Sequence, residues 1–197
     1  MTAATSGSLA ERPFAALVAD VASADPAPGA GPSAACTCAL AAALVEMVSA
    51  VELRKEPIDA DAAARRRDRA AELRAAALEL ADRDILAYTE VLDVLQRRGE
   101  RGHGDRLVAA LSRAANPPLA IAEIAGEVTR LAAEAADAAR GAVKGEAVTA
   151  AILAETVVRV CGPLVDMNLG SAPKDRRRAR ARDLAELART DLATALA

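Results

Sequence analysis

The chain has 197 residues, 53% of them hydrophobic and 27% charged, with a formal net charge of −3; that balance suits one folded domain and not a disordered chain. Alanine fills 54 positions while Phe14 and Tyr88 are the only aromatics, which argues against a β-sheet and for closely packed helices. The acidic balance and the scarcity of aromatics exclude a base-stacking nucleic-acid surface, and the single histidine, His103, excludes any centre that needs two imidazoles.

Residues 1–8 are small and polar and are expected to form a frayed tail ahead of one domain over residues 9–197. A first helix is predicted from Leu9 or Glu11 to a point before Asp25, with Pro13 in its first turn and Phe14, Leu17, Val18 and Val21 on one face. The stretch Asp25-Pro26-Ala27-Pro28-Gly29-Ala30-Gly31-Pro32-Ser33 is the densest in turn residues and reads as a loop. Helix two follows over about Ser33 to Arg54, with Leu40, Leu44, Met47, Val48 and Val51 as its apolar stripe. After Pro57 a long helix is predicted from Asp59 or Asp61 to about Arg98, roughly 60 Å at 1.5 Å per residue. Its Arg65-Arg66-Arg67-Asp68-Arg69 run reads as a solvated face. A loop over Gly99 to Gly104 leads to a helix from Asp105 to Asn116, which Pro117-Pro118 interrupts and which resumes to about Arg140, where Gly141 stops it. A further helix runs from about Gly145 to Leu169 with a kink expected at Gly162-Pro163. After a turn at Gly170 to Pro173, an amphipathic helix closes the chain from Lys174 to about Ala195. The predicted fold is an all-α bundle of five to six mostly antiparallel helices with one long helix.

Several residues are candidates for chemistry. The loop before helix two combines glycines with a helix start whose N–H groups lack partners, which suits an anionic or carbonyl-bearing ligand; it equally suits a plain turn. Asp84 falls in the stripe Ala77, Leu80, Ala81, Ala87, Tyr88, Val91, Leu95. A carboxylate there either faces a partner arginine or lines a cavity with its pKa raised for proton transfer. Tyr88, one turn later, reaches the same space and donates a hydrogen bond. Glu46 and Glu155 lie in apolar helical runs and line the same interior, pair with arginine, or mark a subunit boundary. Glu146 heads the fifth helix, a dipole-stabilising position. Cys36, Cys38 and Cys161 read as small buried residues, since i, i+2 spacing makes a poor metal pair. The Arg176-Arg177-Arg178 run reads as a solvated face. No stretch of about 18 apolar residues is read as free of charge, so no membrane span is expected. The first residues lack the basic-then-apolar pattern of a signal peptide, so a cytoplasmic location is expected.

Four segments in order resemble one family. Asp25 to Ala35, followed by Ala41-Ala42-Ala43-Leu44-Val45-Glu46-Met47-Val48, is similar to the P-T-P-G-G-G-S-x-A-A and A-A-L-V-x-M-V opening of the cyclodeaminase/cyclohydrolase family, with Ala30 in place of a glycine and Pro32 where the serine stands. Asp84-Ile85-Leu86-Ala87-Tyr88 resembles its D-x-x-A-F/Y. Pro117-Pro118-Leu119-Ala120-Ile121-Ala122 resembles V-P-L-x-I-A. Ala150-Ala151-Ile152-Leu153-Ala154-Glu155 and Met167-Asn168-Leu169 resemble A-A-L-L-A-E and I-N-L. Three segments depart from the pattern: Gln96-Arg97-Arg98-Gly99 replaces L-P-K, Gly145-Glu146-Ala147 replaces S-D-A, and Leu164-Val165 replaces N-V.

The resemblance, which spans roughly residues 12–190, implies chemistry on a C–N bond of a one-carbon-substituted tetrahydrofolate. Methenyltetrahydrofolate hydrolysis and formiminotetrahydrofolate cyclodeamination both fit, with the folate as substrate, no metal and no permanently bound cofactor. It implies Asp84 as general acid/base, with Tyr88 orienting it or the substrate and Glu146 as a second acid. Pro28, Gly29, Ala30, Gly31 and Ser33 would shape one wall, Asn168 would bind substrate, and Arg97 or Arg98 would meet the glutamate carboxylates. A homodimer or higher homo-oligomer is implied, with no nucleic-acid or membrane partner. Two other readings stay open: a diverged enzyme catalysing cyclisation, ring opening or amine elimination on a non-folate metabolite, and a non-catalytic helical oligomerisation module.

Overall fold

The computed structural model describes residues 8–55, 59–170 and 172–197, and these form seven α-helices, one 3-10 turn and no strand. The expected all-α bundle with one long helix is what the chain forms. The expected tail, apart from Ser8, and the turn residues Pro57 and Ser171 lie outside the described residues.

Ser8 caps the 3-10 turn Leu9–Glu11, and its hydroxyl donates to Asp82 at 2.7 Å, tying this end to the long helix. Pro13 lacks an N–H and so splits the expected first helix; α1 spans only Phe14–Val21. Of its expected inward face only Leu17 is buried, while Phe14, Val18 and Val21 are exposed. Helix α2, Ala30–Leu53, begins three residues earlier than expected. Ala30, Gly31 and Pro32 make its first turn, where the missing proline N–H costs nothing. The long helix α3, Ala60–Gln96, is capped by Asp59, which accepts from the Ala62 N–H at 2.8 Å. Gly102, at φ 72°, turns the chain into α4, His103–Ala114. Only Ala115 separates α4 from α5, Asn116–Ala138, whose first turn holds Pro117 and Pro118. Gly141, at φ 66°, precedes α6, Ala142–Asn168, which runs through Pro163 as one helix. Asp175 caps α7, Arg176–Leu196.

Helix α5 is the centre of the bundle, packed against α2, α3, α6 and α7, while α4 rests on the end of α3. The buried surface is mostly alanine, with Val45, Val48, Ile121, Val128, Val157 and Val158 as the larger plugs. Small side chains let the helix backbones approach, and this shifts the expected stripe of α2: Val48 is buried and Leu44 packs on the core, but the rest of the inward side is Ala35, Cys38, Ala42 and Val45, and Leu40 and Met47 point outward.

The arginine runs also differ from expectation. Arg66 is only 6% exposed; its Nε donates to Ser49 Oγ at 3.1 Å and its guanidinium pairs with Glu52. Arg69 clamps α3 to Glu127 of α5 at 2.8 Å. Arg177 donates to the Ser112 carbonyl at 2.6 Å, and Arg178 to the Leu169 carbonyl at 2.6 Å, so both hold helix ends and do not form a free face. Glu46 pairs with Arg74 at 2.9 Å and Glu155 with Arg159 at 3.0 Å, so of the placements open to them both take the ion pair.

The premise of the membrane-span expectation is corrected. Helices α2 and α6 are both long and apolar enough to cross a bilayer by length and composition. The chain from Pro26 to Val45 carries no charge, and charge is what that expectation relied on. About half of each helix is buried inside the bundle.

Candidate active site

A cleft of about 240 Å3 opens where the first turn of α2, the middle of α3, the α4–α5 junction and the last turns of α6 meet. Asp84 of α3 stands in it against Gly31 of α2. A Cβ built on Gly31 would lie 2.3 Å from the Asp84 Oδ2, so only glycine leaves room for this carboxyl. Gly29 is the N-cap of α2, which leaves the first amides of that helix without intrahelical partners beside the cleft.

Among the described residues no hydrogen bond or ion pair reaches the Asp84 carboxylate. Burial alone pushes its pKa from 3.8 up to about 6. The apolar wall explains that penalty: Ile85, Pro118, Leu164 and Met167 line the cleft, and among the described residues no cationic side chain does. The Cys161 thiol is pushed up to about 12, first by burial and then by the charge of Asp84. Burial, and next the charge of Cys161, does the same to Cys38. Both thiols are therefore protonated at neutral pH, the opposite of an activated nucleophile.

The cleft gathers Asp84, Tyr88, Gly29, Ala30, Gly31 and Asn168. Tyr88 sits at the rim, 39% exposed, one helical turn from Asp84. Asn168 donates its Nδ2 to the Ala114 carbonyl at 3.0 Å, which fixes the amide and leaves its oxygen for a ligand. Five expected residues do not reach it. Pro28 follows a cis peptide behind the wall. The Ser33 hydroxyl donates to the Gly29 carbonyl at 2.8 Å and serves the helix start. Glu146 is exposed near the opposite end of α6, about 27 Å of helix rise from Leu164. Arg97 and Arg98 are exposed just past the end of α3, about 20 Å of rise beyond Asp84; Arg97 lines a separate groove with Asp93 and Arg106.

Sequence reasoning overlooked Ala114, which carries no chemical signal and is placed by packing alone. Ile85, Pro118, Leu164 and Met167 were within reach, because each lies in a segment of the family pattern. Ala30, Pro32 and Leu164, three positions where the chain departs from that pattern, all line the cleft.

A second cavity of about 420 Å3 lies between the far ends of α2, α3, α5 and α6. It is larger but chemically quieter: Arg66 is paired within it, and Arg140 spends its Nη1 on the carbonyls that end α5. Among the described residues no three His, Cys, Asp or Glu side chains converge as a metal site requires.

The fold has a solved counterpart. The crystal structure of formiminotetrahydrofolate cyclodeaminase from Thermotoga maritima superposes with a TM-score of 0.80 at 21% identity, over 94% of this chain and 92% of that one. No curated protein shows significant sequence similarity to the chain. The sequence profile of formiminotransferase-cyclodeaminase matches residues 13–186, which takes in every wall of the cleft. The chain therefore belongs to the formiminotransferase-cyclodeaminase family.

Proposed function

We propose that the protein is an enzyme acting on a C–N bond of a one-carbon-substituted tetrahydrofolate, by hydrolysing the methenyl form or cyclodeaminating the formimino form. One observation carries this reading: a carboxyl that burial holds near pKa 6, without a protein partner, in an apolar cleft. Such a group takes and returns protons close to neutral pH.

In the hydrolytic direction a water adds to the cationic methenyl carbon. Asp84, ionised, accepts a proton from that water and offsets the positive charge of the carbon. Protonated, it returns the proton to the departing ring nitrogen as the adduct opens. In the cyclodeaminase direction it protonates the leaving amine. Tyr88 orients the ligand from the rim, and Asn168 offers its amide oxygen to a ring N–H. Tyr88 and Asn168 bind; Asp84 alone carries the proton. The enzyme works as a homo-oligomer in the cytoplasm on this reading, with no resident cofactor.

The test is the loss of methenyltetrahydrofolate absorbance in the near ultraviolet. Purified wild type turns the compound over, and Asp84→Asn lowers the rate by at least about 100-fold, the usual share of a general acid/base. A folded wild type that leaves the absorbance unchanged refutes the reading. The absence of a cationic side chain from the cleft among the described residues favours one alternative, ring opening or amine elimination on a smaller non-folate cation. That alternative gains if such a ligand binds with no folate competing.

A further inference from the structure

The two prolines that open α5 leave a gap in the backbone hydrogen bonds beside the cleft. Pro118 has no N–H to return to the Ala114 carbonyl four residues back, so that carbonyl needs a donor from elsewhere. Asn168 of α6 supplies it, 3.0 Å away. A carbonyl only accepts, so the side-chain amide must turn its Nδ2 to Ala114, and its oxygen is left over. The direction of Asn168 in the cleft is therefore set by where the α4–α5 junction holds one carbonyl.

Two arginines at the start of α7 hold both ends of that bond. Arg177 spans the junction: its Nη1 donates to the Ser112 carbonyl and to Asn116 Oδ1, each at 2.6 Å, and its Nη2 donates to Ser112 Oγ at 2.8 Å. Its other donors go to Asp175, from Nε at 3.1 Å and from Nη2 at 2.8 Å. All five N–H donors of the guanidinium are used, three of them on the residues that flank Ala114 and Ala115. Hydrogen bonds from Arg177 hold the Asp175 carboxyl down to about 2, so it stays ionised near neutral pH and keeps the fork oriented. Arg178 holds the donor side. It donates to the Leu169 carbonyl at 2.6 Å and the Asp166 carbonyl at 3.1 Å, which fixes the last turn of α6, where Met167 and Asn168 stand. A lysine ammonium, a point charge with three donors, cannot reproduce a planar fork with five.

We propose that Arg177 is a positioning residue for the cleft: by holding the α4–α5 junction it places the Ala114 carbonyl, which turns the Asn168 amide so that its oxygen faces the ligand. Arg177 does not line the cleft, and its effect on the reaction passes through Asn168. The catalytic consequence rests on the reading of Asn168 as a ligand-binding residue given above. The chain of contacts from Arg177 to the amide does not.

A double-mutant cycle reads the coupling. Arg177→Lys and Asn168→Ala each raise KM for methenyltetrahydrofolate about 10-fold, the worth of one hydrogen bond, and leave kcat and the Asp84 midpoint of the pH–rate profile in place. The double variant shows the same loss of about 10-fold, not the about 100-fold of two independent losses. A second readout needs no turnover. The chain has three side-chain amides, Gln96, Asn116 and Asn168, so a nitrogen–proton NMR spectrum carries three such NH2 pairs. Arg177→Lys shifts those of Asn116 and Asn168 and leaves that of Gln96. Arg69→Lys, which loosens the α3–α5 clamp away from the cleft, lowers stability but moves neither KM nor the Asn168 signal. If Arg177→Lys does not fold, Asn116→Ala removes one acceptor from the fork and gives the same effects at smaller size, while Asn116→Asp keeps the oxygen and behaves as wild type. Additive losses in the double variant, a wild-type KM in Arg177→Lys, an unmoved Asn168 signal, or the same effects from Arg69→Lys overturn the proposal. A wild type without turnover counts against the folate reading, while the amide signals still decide whether Arg177 sets Asn168.

Discussion

Asp84→Asn is expected to make the protein more stable at neutral pH while abolishing its activity. The carboxyl titrates at about 6 in the folded chain and at its ordinary 3.8 when unfolded. Below pH 3.8 it is protonated in both states and costs nothing. As pH rises from 3.8 to 6 the unfolded chain releases the proton first, so folding loses stability across that window and the loss stays constant above it. Full weight for that displacement is about 3 kcal/mol. The carboxylate is partly open to the cleft, and solvent screening reduces the figure to about 2 kcal/mol. Asparagine keeps the shape and removes the charge. The variant therefore gains about 2 kcal/mol at pH 7.5, or about 4–8 °C in Tm for a chain of this size, and nothing at pH 3.5. Urea unfolding of both proteins at several pH values reads the difference directly, with other titrating groups cancelling between them. An Asp84→Asn protein that is less stable at pH 7.5, or whose advantage is the same at pH 3.5, would show that the carboxylate is satisfied and that the argument for its chemistry is wrong.

Gly31→Ala places a methyl 2.3 Å from the same carboxyl and drives it out of its position; the Asp84 titration, followed by carbon NMR, moves back toward 4, and turnover falls with it. An unchanged midpoint would mean that α2 shifts instead. Arg66→Ala strands Glu52 and Ser49 in the bundle and costs about 3 kcal/mol, read as a lower urea midpoint. A cost below 1 kcal/mol would place that pair in water. Glu127 is held below its ordinary pKa, chiefly by its hydrogen bond to Arg69, so this clamp supports folding above the unfolded pKa and is lost as pH falls through the folded one. Glu127→Gln should accordingly flatten the acid limb of the stability curve, and an unaltered limb would rule out the contribution.

The residues alone determined that this chain is helical and roughly where its helices break. Asp59 caps α3, Gly141 falls in the break between α5 and α6, and neither needs a tertiary partner to act. The order of the four motifs was equally legible, and it pointed to Asp84, because a carboxylate inside an apolar stripe is conspicuous in one dimension. What the residues could not decide is which side of an alanine-rich helix faces inward. Where nearly every position is small or apolar, periodicity loses its contrast, so Leu40 and Met47 were assigned to the core while Ala35 and Ala42 occupy it. Arg66 was misread for the converse reason: a charge looks solvated until a folded neighbour such as Glu52 is brought beside it. Distance along a helix explains the rest. Glu146, Arg97 and Arg98 belong to segments that match or replace family motifs, yet each residue along a helix adds about 1.5 Å, and only the folded bundle reveals that Gly31 touches Asp84 while Glu146 stands a helix length away.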